Sequence, residues 1–347
     1  MPTRVAAIIA FRGDPALLRW TLEGFSRQEL PPDVQLDVHI GADGCDIPPL
    51  DDHTPASPAI RFHPHRFDRQ GAAAIRNELV QHAPSDILIF GNADARPDSA
   101  LVATHLRTLS SLPAGSMVLG QAPWEMPAAG ATVFDAFLAD TPAIFFYNQL
   151  QPHQWYDFRH AWTLNLSIRA ADFLSSGGFE PLLRPVYYED LALGFRVLGP
   201  TRKGIYFEPA AKVLHRHPTT LDQYLNREEL LGLMSPVLAQ TLPQVFAAIH
   251  GSATLDTLAA DFRTWLKLDK PMHQWIYKRL AEWAALPAST LGQGDTRQRT
   301  LMTIYQMHIP LKRLAFRLGF LRGLELLDDS HWQKRTPAAL WKKHLEL

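Results

Sequence analysis

The sequence predicts an α/β protein with a mostly parallel sheet flanked by helices, followed by an α-helical C-terminal region. Apolar strands alternate with amphipathic helices along the first two thirds of the chain, and polar or acidic residues directly follow several of these strands. From about Ser235 onward the strand signals stop and only helical spacing remains. Strands that alternate with helices pair in parallel through right-handed crossovers. We therefore expect a sheet-based domain over residues 1–235 and a helical region over residues 236–347.

The individual elements follow from periodicity and from turn residues. Asp14 and Pro15 supply an N-cap and a first-turn proline for the helix after the opening strand. Residues 162–169 alternate polar and apolar side chains, which indicates an edge or half-buried strand. Residues 133–147 are rich in aromatic side chains and predict neither helix nor strand clearly. Further strands are predicted at residues 5–10, 36–40, 60–62, 87–90, 117–119, 204–207 and 211–214, and helices at residues 15–25, 70–79, 99–112, 191–198, 246–250, 255–268, 275–286 and 301–327.

Length and composition favour a globular protein of two domains. The chain has 347 residues, of which 46% are hydrophobic and 20% charged, and its formal net charge is -1. Near-neutral charge argues against nucleic acid as the main partner, because binding a phosphate backbone needs a basic face. The single cysteine, Cys45, excludes a disulfide framework and a cysteine-based zinc site. No apolar run has the length of a signal peptide or a membrane span, so we expect a cytoplasmic protein.

The most informative stretch is an apolar strand that ends in polar residues. Four consecutive apolar residues, 87–90, are followed after one glycine by Asn92, Ala93 and Asp94. In open α/β sheets, ligands bind beyond the carboxyl ends of the strands. Asn92 and Asp94 would lie on one side of an extended segment, and two oxygen ligands suit a divalent cation such as Mg²⁺ or Mn²⁺. On this stretch alone, a polar turn after a buried strand is the simpler interpretation.

Two further segments place polar groups where a phosphorylated ligand could bind. Asp43 follows the strand that ends at Ile40, again at a carboxyl end. Gly71 and small residues open the helix that carries Arg76. A helix start of this kind allows close approach of a phosphate, with which an arginine could pair. An ordinary surface arginine on an alanine-rich helix is the alternative.

Acidic and histidine side chains follow later in the chain. Glu189 and Asp190 begin a helix, and His215 ends the last predicted strand. Acids in a first helical turn are favoured by the helix dipole whether or not they have another role. A single histidine after a strand is more often structural than a metal ligand. Each of these segments is therefore ambiguous when it is considered alone.

Taken together, the segments resemble the family-2 glycosyltransferases, inverting enzymes with the Rossmann-like GT-A fold, over roughly residues 5–235. Two positions depart from the family's motifs, because Ala42 and Asn92 stand where the family carries acids. In the family's order, the matching segments are Val5 to Arg12, Ala42 to Asp46, Gly71 to Asn77, Asn92 to Asp94, Asn165 to Arg169, Gly177 to Phe179, Glu189 with Asp190, and His215.

The resemblance implies a hexosyltransferase of polysaccharide biosynthesis that moves a sugar from a nucleotide-sugar, most often a UDP-sugar, to a hydroxyl group. The acceptor would be a glycan, a lipid-linked molecule or a small molecule. The implied roles are Phe11, Arg12, Asp43, Arg76, Asn92 and Ala93 at the nucleotide, Asp94 and His215 on Mn²⁺ or Mg²⁺, Asp190 with Glu189 as the catalytic base, and Trp162, Asn165 and Tyr188 at the acceptor or the sugar.

Two other functions are compatible with parts of the sequence. A nucleotidyltransferase, which makes nucleotide-sugars, usually carries a glycine-rich basic loop after the first strand, whereas Phe11 to Pro15 contains one glycine. A catalytically decayed carbohydrate-binding protein would explain Ala42 and Asn92. The presence of Asp94, of the acid pair Glu189 and Asp190, and of His215 counts against that interpretation.

The C-terminal region differs from the rest of the chain in charge. Residues 246–347 carry 15 Lys and Arg against 9 Asp and Glu, a net charge of +6, which leaves -7 for the remainder. The segment Leu311 to Arg322 places cations and large apolar groups on one predicted helix. Such a helix could lie on the inner surface of an anionic membrane. Packing of the helix on the sheet domain explains the pattern equally well.

Overall fold

The computed structural model describes residues 2–50, 55–183, 187–268, 270–327 and 338–347. The chain divides into two compact units, of which the first comprises Met1–Pro123 and Leu150–His217 and the second Trp124–Gln149 and Pro218–Leu347. Within the described ranges, no helix has the length and apolar character that crossing a bilayer requires.

The first unit is built on one sheet. In chain order its strands are β1 Thr3–Phe11, β2 Val34–Asp43, β3 Ile60–Phe67, β4 Ile87–Asn92, β5 Ala95–Pro97, β6 Met117–Gln121, β7 Trp155–Tyr156, β8 Asn165–Arg169 and β9 Ile205–His215. Their order across the sheet is β3-β2-β1-β4-β8-β6-β9-β5, with β7 paired to β9. The first four strands in this order are parallel, whereas β8 is antiparallel to its neighbours β4 and β6. The predicted α/β class is confirmed, with a mixed rather than mostly parallel sheet.

Helices cover the sheet and bury its central strands. Residues 5–9 of β1 are at most 1% exposed, as expected for an apolar strand covered on both faces. The predicted cap of the first helix forms, since the Asp14 carboxylate accepts a hydrogen bond from the Ala16 amide. The α-helices of this unit are α1 Pro15–Ser26, α2 Ala72–Gln81, α3 Leu101–Ser111, α5 Ala170–Ser175 and α6 Glu189–Leu198.

The alternating segment predicted as an edge or half-buried strand is instead the central strand β8. Its residues Asn165 and Ser167 are 1% and 0% exposed. Both polar side chains bind the buried His105, whose Nε2 lies 2.8 Å from Asn165 Oδ1 and whose Nδ1 lies 2.8 Å from Ser167 Oγ. The alternation therefore comes from an internal hydrogen-bonded group and not from a solvent-facing side of the strand.

The two strands predicted at residues 204–207 and 211–214 form the single strand β9. The register between β6 and β9 shifts after Gly120, which pairs with Glu208, because the next residue of β6, Gln121, pairs with Lys212. Pro209 lies in the extra segment and has no amide hydrogen for the ladder. The proline is thus accommodated by a bulge and does not end the strand.

The second unit is helical, and its longest helices pack closely through glycines. A Cβ atom at Gly232 would lie 1.9 Å from the Phe316 carbonyl oxygen, and one at Gly319 would lie 1.8 Å from the Glu229 carbonyl oxygen. The helix that spans the predicted domain boundary at residue 235 lies wholly in this unit. The helices are α4 Val133–Asp140, α7 Leu221–Thr241, α8 Pro243–His250, α9 Leu255–Leu268, α10 Lys270–Ala284, α11 Gly294–Glu325 and α12 Leu340–Leu345.

Candidate active site

A buried arginine joins the acid pair of α6 to α2 and β4. Nη1 of Arg76 lies 3.3 Å from Oε1 of Glu189, and Nη2 donates a hydrogen bond of 3.1 Å to Oδ1 of Asn92. The guanidinium also lies over the ring of Phe179, 5.5 Å from its centroid. Three elements that are distant in the sequence therefore meet at Arg76.

The resemblance places Arg76 at the diphosphate, whereas in the structure its side chain has protein partners. Two of its nitrogens are instead engaged by Glu189 and Asn92. This arrangement also gives a physical reason for an uncharged residue at position 92. Because Glu189 already balances the charge of Arg76, a neutral amide oxygen suffices as the second acceptor.

Glu189 and Asp190 have different environments. Glu189 is 5% exposed and paired with Arg76, whereas Asp190 is only partly buried. Burial and the neighbouring charge of Glu189 raise the pKa of Asp190 to about 7, against the opposing effects of the Leu191 amide and Arg76. A partly buried carboxylate whose pKa is raised toward neutral pH is suited to general-base catalysis, so Asp190 is the better candidate of the two.

The backbone that leads into this acid pair is strained. Tyr187 and Tyr188 have φ values of 92° and 68°, a region that residues other than glycine rarely adopt. The Tyr187 amide donates a hydrogen bond of 2.8 Å to Oε2 of Glu189. Tyr188, expected at the acceptor or the sugar, is 7% exposed. Strain of this kind is concentrated at functional sites, and here the strained segment supplies the Tyr187 amide that binds the carboxylate of Glu189.

One carboxylate and two imidazoles form a cluster at the junction of β4 and β5. Oδ1 of Asp94 lies 3.5 Å from Nε2 of His215, and Oδ2 lies 2.8 Å from Nδ1 of His217. One ligand atom from each residue lies within 4.8 Å of the others. Burial alone would raise the pKa of Asp94, but its contacts with the two histidines outweigh burial and lower that pKa below the ordinary value.

The cluster fits a divalent transition metal. Oδ1 of Asp94 is buried and makes no hydrogen bond within the described residues, as expected for an atom that a cation would ligate. Two imidazoles and one carboxylate are a common donor set for such ions. The predicted ligands Asp94 and His215 are thus brought together, and the structure adds His217. Its signal in the sequence is the His-x-His spacing, which places both rings on one side of an extended segment.

The backbone holds these ligands in place. β5 pairs antiparallel with the end of β9, with Ala95 opposite His215. The Arg216 amide donates a hydrogen bond of 2.9 Å to the carbonyl oxygen of Asp94, and the His215 amide donates one of 2.9 Å to that of Pro123. The metal-ligand candidates are therefore carried on two paired segments of the first unit. Asn92, however, contributes to Arg76 and not to this cluster.

Comparison with solved structures identifies the fold. PcManGT, a mannosyltransferase from Pyrobaculum calidifontis solved with GDP-Man and Mn²⁺, matches at a TM-score of 0.53 and 15% identity, over 96% of this chain and 89% of that chain. The chain has the GT-A fold. The match covers residues of both units, and at 15% identity it shows the fold only.

Two other solved structures are similar to this GT-A chain at a TM-score of 0.46 each. S. aureus TarS 1-349 is 11% identical, over 93% of this chain and 92% of that chain. GalNAc-T7, solved with UDP, GalNAc and Mn²⁺, is 14% identical, over 72% of this chain and 54% of that chain. No protein-family model matches the sequence, and no curated protein matches it either.

The other predicted nucleotide residues of the GT-A sheet lie at the carboxyl ends of the strands. Phe11 ends β1 and is 2% exposed, and Arg12 follows it and is exposed. Asp43 ends β2, where its Oδ1 accepts hydrogen bonds from the amides of Gln70, at 2.6 Å, and Gly71, at 3.1 Å. Asp43 thus holds the start of α2, the helix that carries Arg76. Ala93 lies in the turn between β4 and β5.

The predicted sugar contact of Asn165 does not agree with its position in the GT-A core. Besides accepting from His105, its amide nitrogen donates to the carbonyl oxygens of Gln121, at 3.1 Å, and Ala211, at 2.9 Å. All the polar atoms of this side chain are therefore used inside the sheet. Trp162 is 4% exposed, and its indole nitrogen donates to the Arg159 carbonyl oxygen at 3.0 Å.

Proposed function

We propose that the chain is an inverting glycosyltransferase of the family-2 type, which transfers a hexose from a nucleotide-sugar to an acceptor hydroxyl. The observation that carries this proposal is the environment of Asp190. This residue is a partly exposed carboxylate whose pKa is raised toward neutral pH. Through Glu189 and Arg76 it is connected to Asn92, two residues from the candidate metal ligand Asp94. The GT-A fold of the chain supports the same function.

In the proposed reaction, Asp190 accepts the proton of the acceptor hydroxyl. The freed oxygen attacks the anomeric carbon from the face opposite the diphosphate, a new carbon–oxygen bond forms, and the bond from that carbon to the diphosphate oxygen breaks. The electron pair of the broken bond leaves with the nucleoside diphosphate, and the configuration of the anomeric carbon inverts. General-base catalysis of this kind contributes about 10²–10⁴-fold to the rate.

Asp94, His215 and His217 would hold Mn²⁺ or Mg²⁺ beside the leaving group. A bound divalent ion supplies Lewis-acid stabilisation of the negative charge that develops on the departing phosphate. Two imidazole ligands favour Mn²⁺ over Mg²⁺, because Mg²⁺ prefers oxygen ligands and retained water. Mn²⁺ is accordingly the ion of first choice for experiments.

The donor is proposed to be a UDP-sugar, following the family resemblance, and GDP-mannose is the first alternative. The Pyrobaculum mannosyltransferase, which was solved with GDP-Man, supports testing this second donor. Phe11, Arg12 and Asp43 end or follow parallel strands, where nucleotides bind in open α/β sheets.

Contact with an anionic membrane through the basic C-terminal helices, which would favour a lipid-linked acceptor, is a secondary proposal. Salt-sensitive co-sedimentation with anionic but not neutral vesicles would support it. In the helical unit, Arg313 is exposed, whereas Lys312 donates to the Ala143 carbonyl oxygen, Arg317 lies over the rings of Phe262 and Trp265, and Arg322 pairs with Glu325.

A donor panel tests the proposed function directly. The purified chain is incubated with UDP-sugars and GDP-mannose in Mn²⁺, and release of UDP or GDP is followed against a control in EDTA. Slow Mn²⁺-dependent release from one donor class supports a glycosyltransferase. Formation of a nucleotide-sugar from a nucleoside triphosphate and a sugar phosphate would instead identify a nucleotidyltransferase. Binding without release, in the presence of candidate acceptors, would indicate a decayed carbohydrate-binding protein.

A further inference from the structure

The two segments that carry the candidate metal ligands contact the same tryptophan of α1. The guanidinium carbon of Arg216, which lies between His215 and His217 in the sequence, is 4.2 Å from the centroid of the Trp20 ring. That of Arg96, two residues after Asp94, is 6.0 Å from the same ring. Trp20 thus contacts a near neighbour of each of the three ligands.

The orientation of the side chains at residues 215–217 explains how Trp20 can act on the metal cluster. Along an extended segment, side chains alternate between the two sides. His215 and His217 both contact Asp94, and their rings stack with centroids 5.6 Å apart, whereas the Arg216 side chain between them contacts Trp20 instead. The indole therefore holds the histidine segment from the side opposite its ligand atoms.

Trp20 is itself on a firmly held helix. A Cβ atom at Gly24 would lie 2.6 Å from Cδ of Pro97, so only glycine permits this close approach of α1 to β5. Glu23 also pairs with Arg96 at 3.6 Å. Because α1 is packed against the strand that follows Asp94, a contact from α1 to Arg216 fixes the two ligand segments relative to one another.

We propose that Trp20 is a positioning residue for the divalent metal of the proposed glycosyltransferase, acting through Arg216 on His215 and His217. Groups that orient metal ligands without touching the metal commonly set its affinity. A cation over an indole face is a favourable contact of this kind. The inference rests on the proposed function only for the identity of the site, since metal binding can be measured without any substrate.

The test is Mn²⁺ binding to the full chain by isothermal titration calorimetry, with the unfolding midpoint in EDTA as a measure of folding. Trp20→Ala and Arg216→Ala each remove one partner of the contact, and Trp20→Phe keeps an aromatic face. Trp265→Ala is the matched control, because Arg317 lies over Trp265 at 5.4 Å in the helical unit.

Trp20→Ala and Arg216→Ala should each raise the Mn²⁺ dissociation constant about tenfold, and Trp20→Phe should stay within about threefold of the wild type. Trp265→Ala should bind Mn²⁺ as the wild type does. Arg216→Ala keeps the test valid if Trp20→Ala does not fold. Folded variants at Trp20 and Arg216 with wild-type dissociation constants would overturn the positioning role. A wild-type chain that binds no Mn²⁺ would also overturn it, whereas the proposed transfer reaction would fail only if the donor panel gave no nucleotide release.

Discussion

Nη1 of Arg76 and Oε1 of Glu189 lie 3.3 Å apart, and both side chains are only 6% exposed. Each charge of a pair so deeply buried has lost its hydration and is stabilised mainly by the other charge. Removing one partner alone should therefore destabilise the folded protein. The ion pair also ties α2, which is held at its start by Asp43, to the helix that carries Asp190. The acid pair is therefore held by the same elements that border the proposed nucleotide site.

The first prediction concerns the stability of this ion pair. Arg76→Met leaves the Glu189 carboxylate buried without its partner, so the free energy of unfolding should fall by about 3–5 kcal/mol. The double variant Arg76→Met with Glu189→Gln should recover most of the loss, because both charges of the buried pair are then removed. Urea unfolding of the two single variants and the double variant measures the coupling.

Arg12→Met is the control for this measurement. Arg12 is exposed, and its substitution should change the free energy of unfolding by less than about 0.5 kcal/mol. If Arg76→Met behaved like Arg12→Met in unfolding and lost only UDP affinity, Arg76 would be a ligand of the diphosphate, as the family resemblance implies.

The second prediction concerns the pH dependence of turnover. The pKa of Asp190 is raised to about 7 by burial and by the charge of Glu189. Only the ionised carboxylate accepts a proton, so kcat should fall as the pH falls through about 7. Glu189→Gln removes the neighbouring negative charge and should move this limb of the profile to lower pH. Glu180→Gln, which removes a carboxylate that pairs with Arg196 on the same helix, should leave the limb in place.

The third prediction concerns Asn165. Its amide joins β8 to His105 and to the carbonyl oxygens of Gln121 and Ala211. Asn165→Ala leaves buried partners unsatisfied and should lower the free energy of unfolding by about 1–3 kcal/mol. Denaturant unfolding measures this loss. An unchanged unfolding midpoint, together with a raised KM for the acceptor, would restore the sugar-binding role that the resemblance implies.

A row of histidines lies on β2, β3 and the end of α2. The rings of His39 and His63 stack with centroids 4.6 Å apart, and Nδ1 of His39 lies 3.1 Å from Nε2 of His65. Burial, followed by the charges of His63 and His65, lowers the pKa of His39 from 6.5 to about 4. Among the described residues, Asp37 lies 2.8 Å from Nε2 of His63 and pairs with Arg4, and His82 stacks on His65 at the other end of the row.

The fourth prediction follows from that lowered pKa. The unfolded chain takes up a proton at His39 near pH 6.5, whereas the folded chain does so only near pH 4. Stability should therefore decrease as the pH falls from about 6.5 to about 4. His39→Gln should reduce the decrease in melting temperature between about pH 7.5 and about pH 5, and the exposed His153→Gln should not. Equal decreases in both variants would contradict a special role for this row.

Much of the fold was predictable because it depends on local patterns. Apolar runs such as residues 87–90, the cap at Asp14 and the helical spacing after Ser235 each reflect burial or backbone geometry within a few residues. β8 is the informative exception. Alternation usually marks a solvent-facing side, but Asn165 and Ser167 are buried with His105, a partner 60 or more residues away.

The sequence indicated which residues form the candidate site better than it indicated which residues each of them contacts. The order of motifs indicated Asp94, His215 and the acid pair, and these residues lie on connected elements of the first unit. Arg76 illustrates the limit, because the position of a side chain on a helix does not reveal a partner 113 residues later. His217 could have been found from its spacing to His215, whereas the contact of Trp20 with Arg216 depends on packing that no local pattern encodes.

The central claim is that Asp190 is the base of a transfer reaction, and Asp190→Asn tests it most directly. The measurement compares nucleoside diphosphate release and donor affinity of this variant with those of the wild type, in Mn²⁺ and with the active donor. We predict that release falls about 10²–10⁴-fold, while the donor dissociation constant stays within about threefold, because a base that acts on the acceptor contributes little to donor binding. Unchanged release would remove Asp190 from the mechanism, and loss on Glu189→Gln instead would transfer the role to Glu189.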